Sequence, residues 1–187
     1  MSAEALETRA EVSAREGGRF ARLVRDVRLL LVALWLGGAV FFSAAVAPAA
    51  FAVLRARGVP YANEAAGSIV TRTLALVNKG GFVIALLLLL SAFLFRREVG
   101  RRAFLAETVS LALVAAATLV GQCVISSRML ALRAAMGRPI DDVPADDPLR
   151  LTFGAWHSYS VAALGLAIVA AAVALLLIAR RGKWRTG

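Results

Sequence analysis

The residues best suited to chemistry lie in the stretch Asp147–Ser160, where the last long apolar block of the sequence begins. Four side chains there recur at spacings of three and four and so share one face of a helix: Arg150, Phe153, His157 and Ser160. His157 is the only histidine, and its imidazole could bind a ligand or transfer a proton. Trp156 and Tyr159 beside it are typical of the aromatic belt at a membrane surface, which favours a simpler role in hydrogen bonding between helices.

Binding of a soft metal ion is a second kind of chemistry to consider. Cu(I) prefers thiolate, thioether and imidazole ligands, and the candidates of that kind are His157, Met129 and Met136. Cys123 would lie about 9 Å from Met129 along a helix axis, too far to share one ion. A haem with two imidazole ligands needs a second histidine, and one cysteine cannot form an internal disulfide. We therefore expect no metal ion and no cofactor.

The sequence offers little for catalysis. It contains no Ser/His/Asp set, no glycine loop that would cradle a phosphate and no metal-hydrolase motif. We therefore expect that the protein is not an enzyme. Arg72 and Lys79 lie seven residues apart on one face of a helix, and with Arg150 and His157 they would form the polar outer-face site of a small transporter.

The elements that must position these residues are four long blocks without charge. Hydrophobic residues make up 60% of the chain and charged ones 18%, against about 45–50% and about 25% in soluble domains. The blocks are Leu29–Leu54, Gly80–Phe95, Thr108–Ser127 and Leu151–Ala179. About 20 apolar residues cross a bilayer as a helix, which predicts spans over about 29–54, 74–95, 108–127 and 151–179. Strands of a barrel would alternate in polarity, and runs such as Leu86–Leu90 do not, so the predicted fold is an all-α, integral membrane four-helix bundle.

The segments around the spans carry their own signals. Residues 1–18 are polar and mixed in charge, which predicts a flexible tail before a membrane domain over residues 19–187. Helical periodicity over Tyr61–Val77 predicts that the second helix begins outside the membrane. The third helix should extend through Arg128–Met136 and end at Gly137. Three prolines and four aspartates in residues 139–148 exclude a helix interior and predict either an ordered turn or a flexible acidic loop.

Small residues and a proline predict where helices pack closely or bend: Gly37, Gly38, Pro48 and Gly67. The pair Gly80-Gly81 predicts a kink or another close approach. Glu107 stands near Arg101 and Arg102, which predicts a salt-bridged start of the third helix.

The distribution of basic residues predicts the orientation. The chain has 22 Lys+Arg and 12 Asp+Glu, and the N-terminus, the connection 96–107 and the C-terminus hold 14 of the basic residues against 8 on the other side. The positive-inside bias then places both termini in the cytoplasm, in a bacterial-type inner membrane. Arginines at positions 19, 22, 25 and 28 form a stripe suited to anionic lipids, and without interleaved aromatic residues we expect no nucleic-acid partner.

The pattern Leu149-Arg150-x-x-Phe153-x-x-x-His157-x-x-Ser160 resembles the hallmark of the transmembrane protein 205-like family, a domain-of-unknown-function family of small four-span proteins. Two further features are similar to that family, over roughly residues 28–180: Gly37 with Pro48 and Phe51, and Ala66-Gly67 at the second helix. Relatives often carry an asparagine where Leu164 stands here. The resemblance implies a four-helix membrane fold and no established activity.

Three functions remain open from the sequence. The first is a non-enzymatic membrane protein that packs with itself or with a partner as a membrane subunit. The second is a small transporter or copper-handling protein that uses the outer-face His/Arg site. The third is a cofactor-dependent oxidoreductase, because Trp35-Leu-Gly-Gly38 also has a distant likeness to the copper-resistance D-type and membrane protoporphyrinogen oxidase families.

Overall fold

The computed structural model describes the backbone of residues 3–94 and 100–180 and the side chains of residues 18–93 and 100–180. In those residues the chain is helical and contains no strand. The α-helices are α1 (Ala3–Phe41), α2 (Ala47–Ala56), α3 (Ala62–Leu94), α4 (Arg101–Val120), α5 (Ser127–Met136) and α6 (Pro148–Arg180).

Two π-helical turns join helices without breaking the rod that they form. Phe42–Val46 links α1 to α2, and Gly121–Ser126 links α4 to α5. Pro48 lies just after the first of these turns and has no N–H for the carbonyl one turn back, which a π turn accommodates. In the second turn, the Ser126 hydroxyl donates to the Gly121 carbonyl at 2.9 Å. The result is four continuous spans: α1–α2, α3, α4–α5 and α6.

All four spans are long and apolar enough to cross a membrane, over Gly18–Ala56, Ala62–Phe93, Arg101–Met136 and Pro148–Arg180. This confirms the predicted all-α, integral membrane four-helix bundle. Residue 95, the last of the predicted second span, lies outside the described residues. Helix α1 continues through residue 18, so no break marks the predicted end of the tail, whose flexibility stays a prediction.

Short connections make consecutive spans antiparallel. Residues 57–61 and 137–147 lie at one end of the bundle, which we call the loop end, and Leu94, Arg101 and Arg180 lie at the opposite, terminal end. Gly58 and Gly137 have φ values of 62° and 64°, the left-handed conformation in which glycine ends a helix at little cost. Gly137 therefore ends α5 as predicted.

The core is built from small residues on α6 and larger ones on its neighbours. Ala167, Ala171 and Ala174 are fully buried and recur at spacings of four and three, so that α4 can approach this face of α6 closely. Leu111 and Val114 of α4 pack in the same cluster.

A second close approach joins α1 to α3. The Trp35 indole N–H donates to the Val77 carbonyl at 2.9 Å, and a Cβ on Gly81 would lie 2.7 Å from the indole ring. Gly81 is therefore the packing glycine here. Gly37 and Gly38 are exposed, with nothing within 4 Å of an added Cβ, so they make no helix contact within the described chain.

The terminal half contains a buried ion pair. Arg28 of α1 donates from Nη2 to Oε1 of Glu107 and to the Leu88 carbonyl, the latter at 3.2 Å. The two charged side chains are 6% and 0% exposed. The expected local salt bridge of Glu107 with Arg101 or Arg102 was wrong: Glu107 points into the bundle, while both arginines are exposed.

Candidate functional site

A cavity of about 600 Å³ lies among the four spans in the loop-end half of the bundle. Each span contributes to its wall, with Phe42 and Pro48 from the first, Val70 and Leu74 from the second, Met129 from the third and Val161 from the fourth. Phe42 and Ser126 belong to the two π turns, so both irregular turns border the cavity. Such turns are frequent beside functional sites because they re-aim side chains and backbone groups.

The cavity is elongated along the helix axes and changes in polarity from one end to the other. Its lining on α6 runs from Phe153 to Ile168, a distance of about 22 Å at the rise of an α-helix. Asn63 and Arg133 line it near the loop end, whereas Leu74 and Ile168 line its deeper part. The cavity therefore has one polar end and one apolar end.

Arg133 of α5 is the charged side chain at the polar end. It is 16% exposed, and its Nη1 pairs with Oε1 of Glu64 at 3.2 Å. Its guanidinium carbon lies 5.6 Å from the centre of the Phe153 ring, a cation–π distance. Its Nε is buried and has no hydrogen-bond partner. The guanidinium therefore contacts Glu64 and the Phe153 ring, and its Nε–H donates no hydrogen bond within the described chain.

Gly67 of α3 makes room for this guanidinium. A Cβ at Gly67 would overlap Nη2 of Arg133 and lie 3.2 Å from its Cζ. Gly67 was predicted as a packing residue, and the group that it packs against is an arginine side chain on the neighbouring span.

The connection 137–147 is fastened to the start of α3 beside the cavity. Asp141 accepts hydrogen bonds from the backbone N–H of Asn63 and Glu64, at 3.2 and 3.0 Å, and from the Asn63 side chain at 2.7 Å. Glu64 accepts in return from the Ile140 N–H at 3.2 Å. These bonds cap the first turn of α3 from another part of the chain. The acidic segment is therefore an ordered turn.

These bonds also change the acidity of Asp141. Burial raises its pKa, but the hydrogen bonds from Glu64 and Asn63 lower it more, so that the pKa lies below its ordinary value of 3.8.

The structure brings together three of the four residues predicted to share a face of the last helix. Phe153, His157 and Ser160 all line the cavity. Arg150 does not line it, because its guanidinium donates to the Val143 carbonyl in the connection before α6. The backbone of Arg150 lies on the same face of α6 as the other three residues, but its long side chain turns toward the loop end.

The other predicted site residues divide between the cavity and the surface. Pro48 and Gly67 line the cavity. Arg72 and Lys79 are exposed on α3 and contribute nothing to its lining. The structure therefore does not assemble the predicted set of Arg72, Lys79, Arg150 and His157 into one site.

The candidate metal ligands are only partly assembled. His157 and Met129 both line the cavity, whereas Met136 does not, and Cys123 is exposed elsewhere on the third span. In the part of the chain that the structure describes, no group of three His, Cys, Asp or Glu residues could hold a metal ion.

Sequence reasoning missed the residues at the polar end of the cavity: Asn63, Glu64, Arg133 and Asp141. Arg133 could have been suspected, because Ser126, Met129 and Arg133 recur at spacings of three and four and all line the cavity. The contacts Arg133–Glu64 and Asn63–Asp141 join residues about 70 positions or more apart, and no local sequence pattern indicates them.

The fold and the site define a class: an integral membrane four-helix bundle with a partly open, amphipathic cavity among its spans. Residues 30–138, more than half of the chain, match the family described as Domain of unknown function (DUF4149), and the chain belongs to that family. The match includes Pro48, Gly67 and Arg133 and ends before α6. It therefore leaves untested the finer resemblance to the transmembrane protein 205-like family. No curated protein and no solved structure matches the chain.

Proposed function

We propose that this chain is a non-enzymatic membrane protein that binds a small, largely apolar molecule in the cavity among its four spans. The observation that carries the proposal is the cavity of about 600 Å³, lined mainly by apolar side chains and reached by all four spans. Ligand pockets in proteins have volumes of about 300–1,000 Å³ and walls of this composition, with a few polar groups that orient the ligand. The small transporter predicted from the sequence used a different, outer-face site, and of its four residues only His157 lines the cavity.

Two glycines provide a direct test, because they line the cavity and have room for a larger side chain. A Cβ on Gly154 or Gly165 would meet nothing within 4 Å, so leucine at either position should fill part of the cavity without a clash. Gly37→Leu is the matched control, since Gly37 is equally unobstructed and does not line the cavity.

The measurement is native mass spectrometry of delipidated full-length protein, equilibrated separately with palmitate and with hexadecanol. We expect the unmodified protein to retain at least one of the two, and Gly154→Leu and Gly165→Leu to reduce that retention about tenfold or more. Gly37→Leu should bind as the unmodified protein does. The binding function is wrong if neither probe is retained, or if both cavity variants retain them normally.

A second proposed function is packing with another copy or with a partner subunit of the membrane. Gly37 and Gly38 favour it, because they lie on an exposed face of the first span where a neighbouring helix could approach closely. Gly37→Leu should then lower the associated fraction of the protein in mild detergent, measured by light scattering. An unchanged molar mass for this variant would rule out a glycine-mediated interface.

Copper handling is the third proposal carried over from the residues. His157 and Met129 support it as a soft-ligand pair on the cavity wall. Our expectation from the sequence is no metal ion, and copper handling would instead require near-stoichiometric copper in elemental analysis of the purified protein, falling with His157→Ala. Folded protein without copper would remove this proposal.

The orientation and location follow from charge. We propose that both termini are cytoplasmic, in a bacterial-type inner membrane, because the terminal side carries 14 basic residues against 8. Its partners there would be anionic lipids and no nucleic acid. Part of this charge, at positions 9, 15, 96, 97, 181, 183 and 185, belongs to side chains outside those that the structure describes. Fluorescent-protein and alkaline-phosphatase fusions to the C-terminus test it: phosphatase activity would contradict the orientation.

We also propose that the chain is a transmembrane protein 205-like member of its family. Three residues of the pattern on α6, Phe153, His157 and Ser160, support this because they line one cavity. A solved structure of an established member in which these positions face lipid would contradict the assignment.

A further inference from the structure

The described side chains that line the cavity include a basic residue and no acidic one. No aspartate or glutamate lines it, and Arg133 is the one lysine or arginine that does so among the described residues. Glu64 pairs with Nη1 of Arg133 but is not itself part of the lining. A ligand inside the cavity would therefore contact a cation at the loop end, whose charge Glu64 partly compensates, and no carboxylate of the described lining. This arrangement is complementary to an anion.

Arg133 also has hydrogen-bonding capacity to offer. Its Nε is buried without an acceptor, and a buried N–H that lacks an acceptor lowers stability until something accepts from it. A guanidinium presents its donors in a planar fork that matches a carboxylate. The guanidinium lies between Gly67 and the Phe153 ring, and a ligand head group would reach its Nε–H after a small shift of this flexible side chain.

The volume of the cavity limits the rest of the ligand. At about 600 Å³ it is in the range of small-molecule pockets, about 300–1,000 Å³. That volume favours a ligand with one hydrocarbon chain over a membrane lipid with two. The deep lining of Leu74, Leu164 and Ile168 offers this chain an apolar wall.

From charge, polarity and volume together, we propose that the cavity binds a single-chain amphiphile with a carboxylate head, its head on Arg133 and its hydrocarbon chain among the deep apolar residues. His157 and Ser160 lie between these two parts of the wall. The proposal rests on the binding function proposed above and adds the chemical class of the ligand.

The test compares two probes that share a chain and differ in the head group. Delipidated full-length protein is equilibrated with palmitate or with hexadecanol, and the amount bound per chain is measured by native mass spectrometry. We expect palmitate to bind about tenfold more tightly than hexadecanol. Arg133→Met should remove this preference while hexadecanol binding remains, because the methionine keeps an apolar wall without the cation.

A second variant tests the same proposal independently, and it serves if Arg133→Met does not fold. Glu64→Gln removes the carboxylate that pairs with Arg133, and we expect it to strengthen palmitate binding relative to hexadecanol. Equal affinity of the two probes for the unmodified protein would overturn the head-group proposal and leave the binding function standing. Retention of neither probe would remove both. Preferential retention of phosphatidylglycerol from a mixture with palmitate would overturn the single-chain ligand.

Discussion

Gly67 of α3 and Arg133 of α5 occupy the same space from two sides of the bundle. A Cβ at position 67 would overlap Nη2 of Arg133, so the guanidinium lies where an alanine side chain would be. In that position it reaches both Glu64 and the Phe153 ring. The absence of a side chain at residue 67 thus decides where the charge at the polar end of the cavity lies.

Gly67→Ala should separate ligand binding from stability. The group it displaces is the far end of a flexible side chain, which can move at little cost, and alanine favours a helix over glycine by about 1 kcal/mol. We expect a free energy of unfolding within about 1 kcal/mol of the original, whereas the preference for palmitate over hexadecanol falls severalfold. Gly37→Ala is the control, with nothing near its Cβ among the described residues and no part in the lining of the cavity. A large loss of thermal stability, or an unchanged preference, would contradict this account of Gly67.

The adjacent glycines Gly80 and Gly81 should respond oppositely to the same substitution. A Cβ on Gly81 would lie 2.7 Å from the Trp35 ring, whereas one on Gly80 would lie 3.9 Å from it, an ordinary contact. The ring cannot yield easily because its N–H is bonded to the Val77 carbonyl. We expect Gly81→Ala to cost about 1–3 kcal/mol from overpacking.

Gly80→Ala should be neutral or stabilising, by up to about 1 kcal/mol. Thermal unfolding in mild detergent, followed by tryptophan fluorescence, measures both variants. Equal melting temperatures for the two would mean that the close approach of α1 and α3 at Trp35 is not as the structure has it.

Much of the fold could be predicted from the sequence because its signals are local. Length without charge predicts each span, and the periodicity over Tyr61–Val77 predicts the early start of α3, at Ala62. The end of a helix, such as that of α5 at Gly137, likewise depends on only a few neighbouring residues. The bilayer strengthens these signals, since it permits few alternatives to a helix.

The polar end of the cavity could be predicted only in part, because its geometry depends on how the spans pack against one another. The spacing of Phe153, His157 and Ser160 was sufficient to place them on one wall. Nothing in the sequence indicates that Gly67 faces Arg133. Glu107 shows the same limit: the nearest arginines in sequence were the expected partners, and its partner in space is Arg28 on another span.

The hydrogen bonds that join Asp141 of the connection 137–147 to the start of α3 should weaken at acidic pH. Because the pKa of Asp141 is lowered in the folded protein, its ionised form stabilises the fold at pH above the ordinary value of 3.8. That contribution is lost as the pH falls below 3.8 and through the folded pKa. We expect the amide hydrogens of Asn63 and Glu64 to lose protection from exchange over this range.

Asp141→Asn should remove this pH dependence and lower stability at neutral pH by about 0.5–2 kcal/mol, the usual value of a helix cap. Asp146→Asn is the control, since Asp146 is exposed in the same connection. Protection factors, which correct for the intrinsic effect of pH on exchange, measure the difference. The same pH profile for Asp141→Asn and the unmodified protein would contradict the assignment to Asp141.

The buried pair Arg28–Glu107 and the surface pair Arg25–Asp26 should differ strongly in what they contribute to stability. Glu107→Leu removes one partner of a buried ion pair, a change that costs about 3–5 kcal/mol in proteins. The Arg25–Asp26 side chains are 34% and 59% exposed at a distance of 3.0 Å, and Asp26→Asn should cost less than about 1 kcal/mol because water screens the pair.

The double variant Arg28→Met, Glu107→Leu decides whether charge or packing causes the loss. Replacing both partners of a buried pair by apolar residues of similar size is often neutral or stabilising, so most of the stability should return. Unfolding free energies of the two single variants and the double variant, in the same detergent, give this comparison. If the double variant is no more stable than Glu107→Leu, the pair acts by filling space at the terminal end and its charges contribute little.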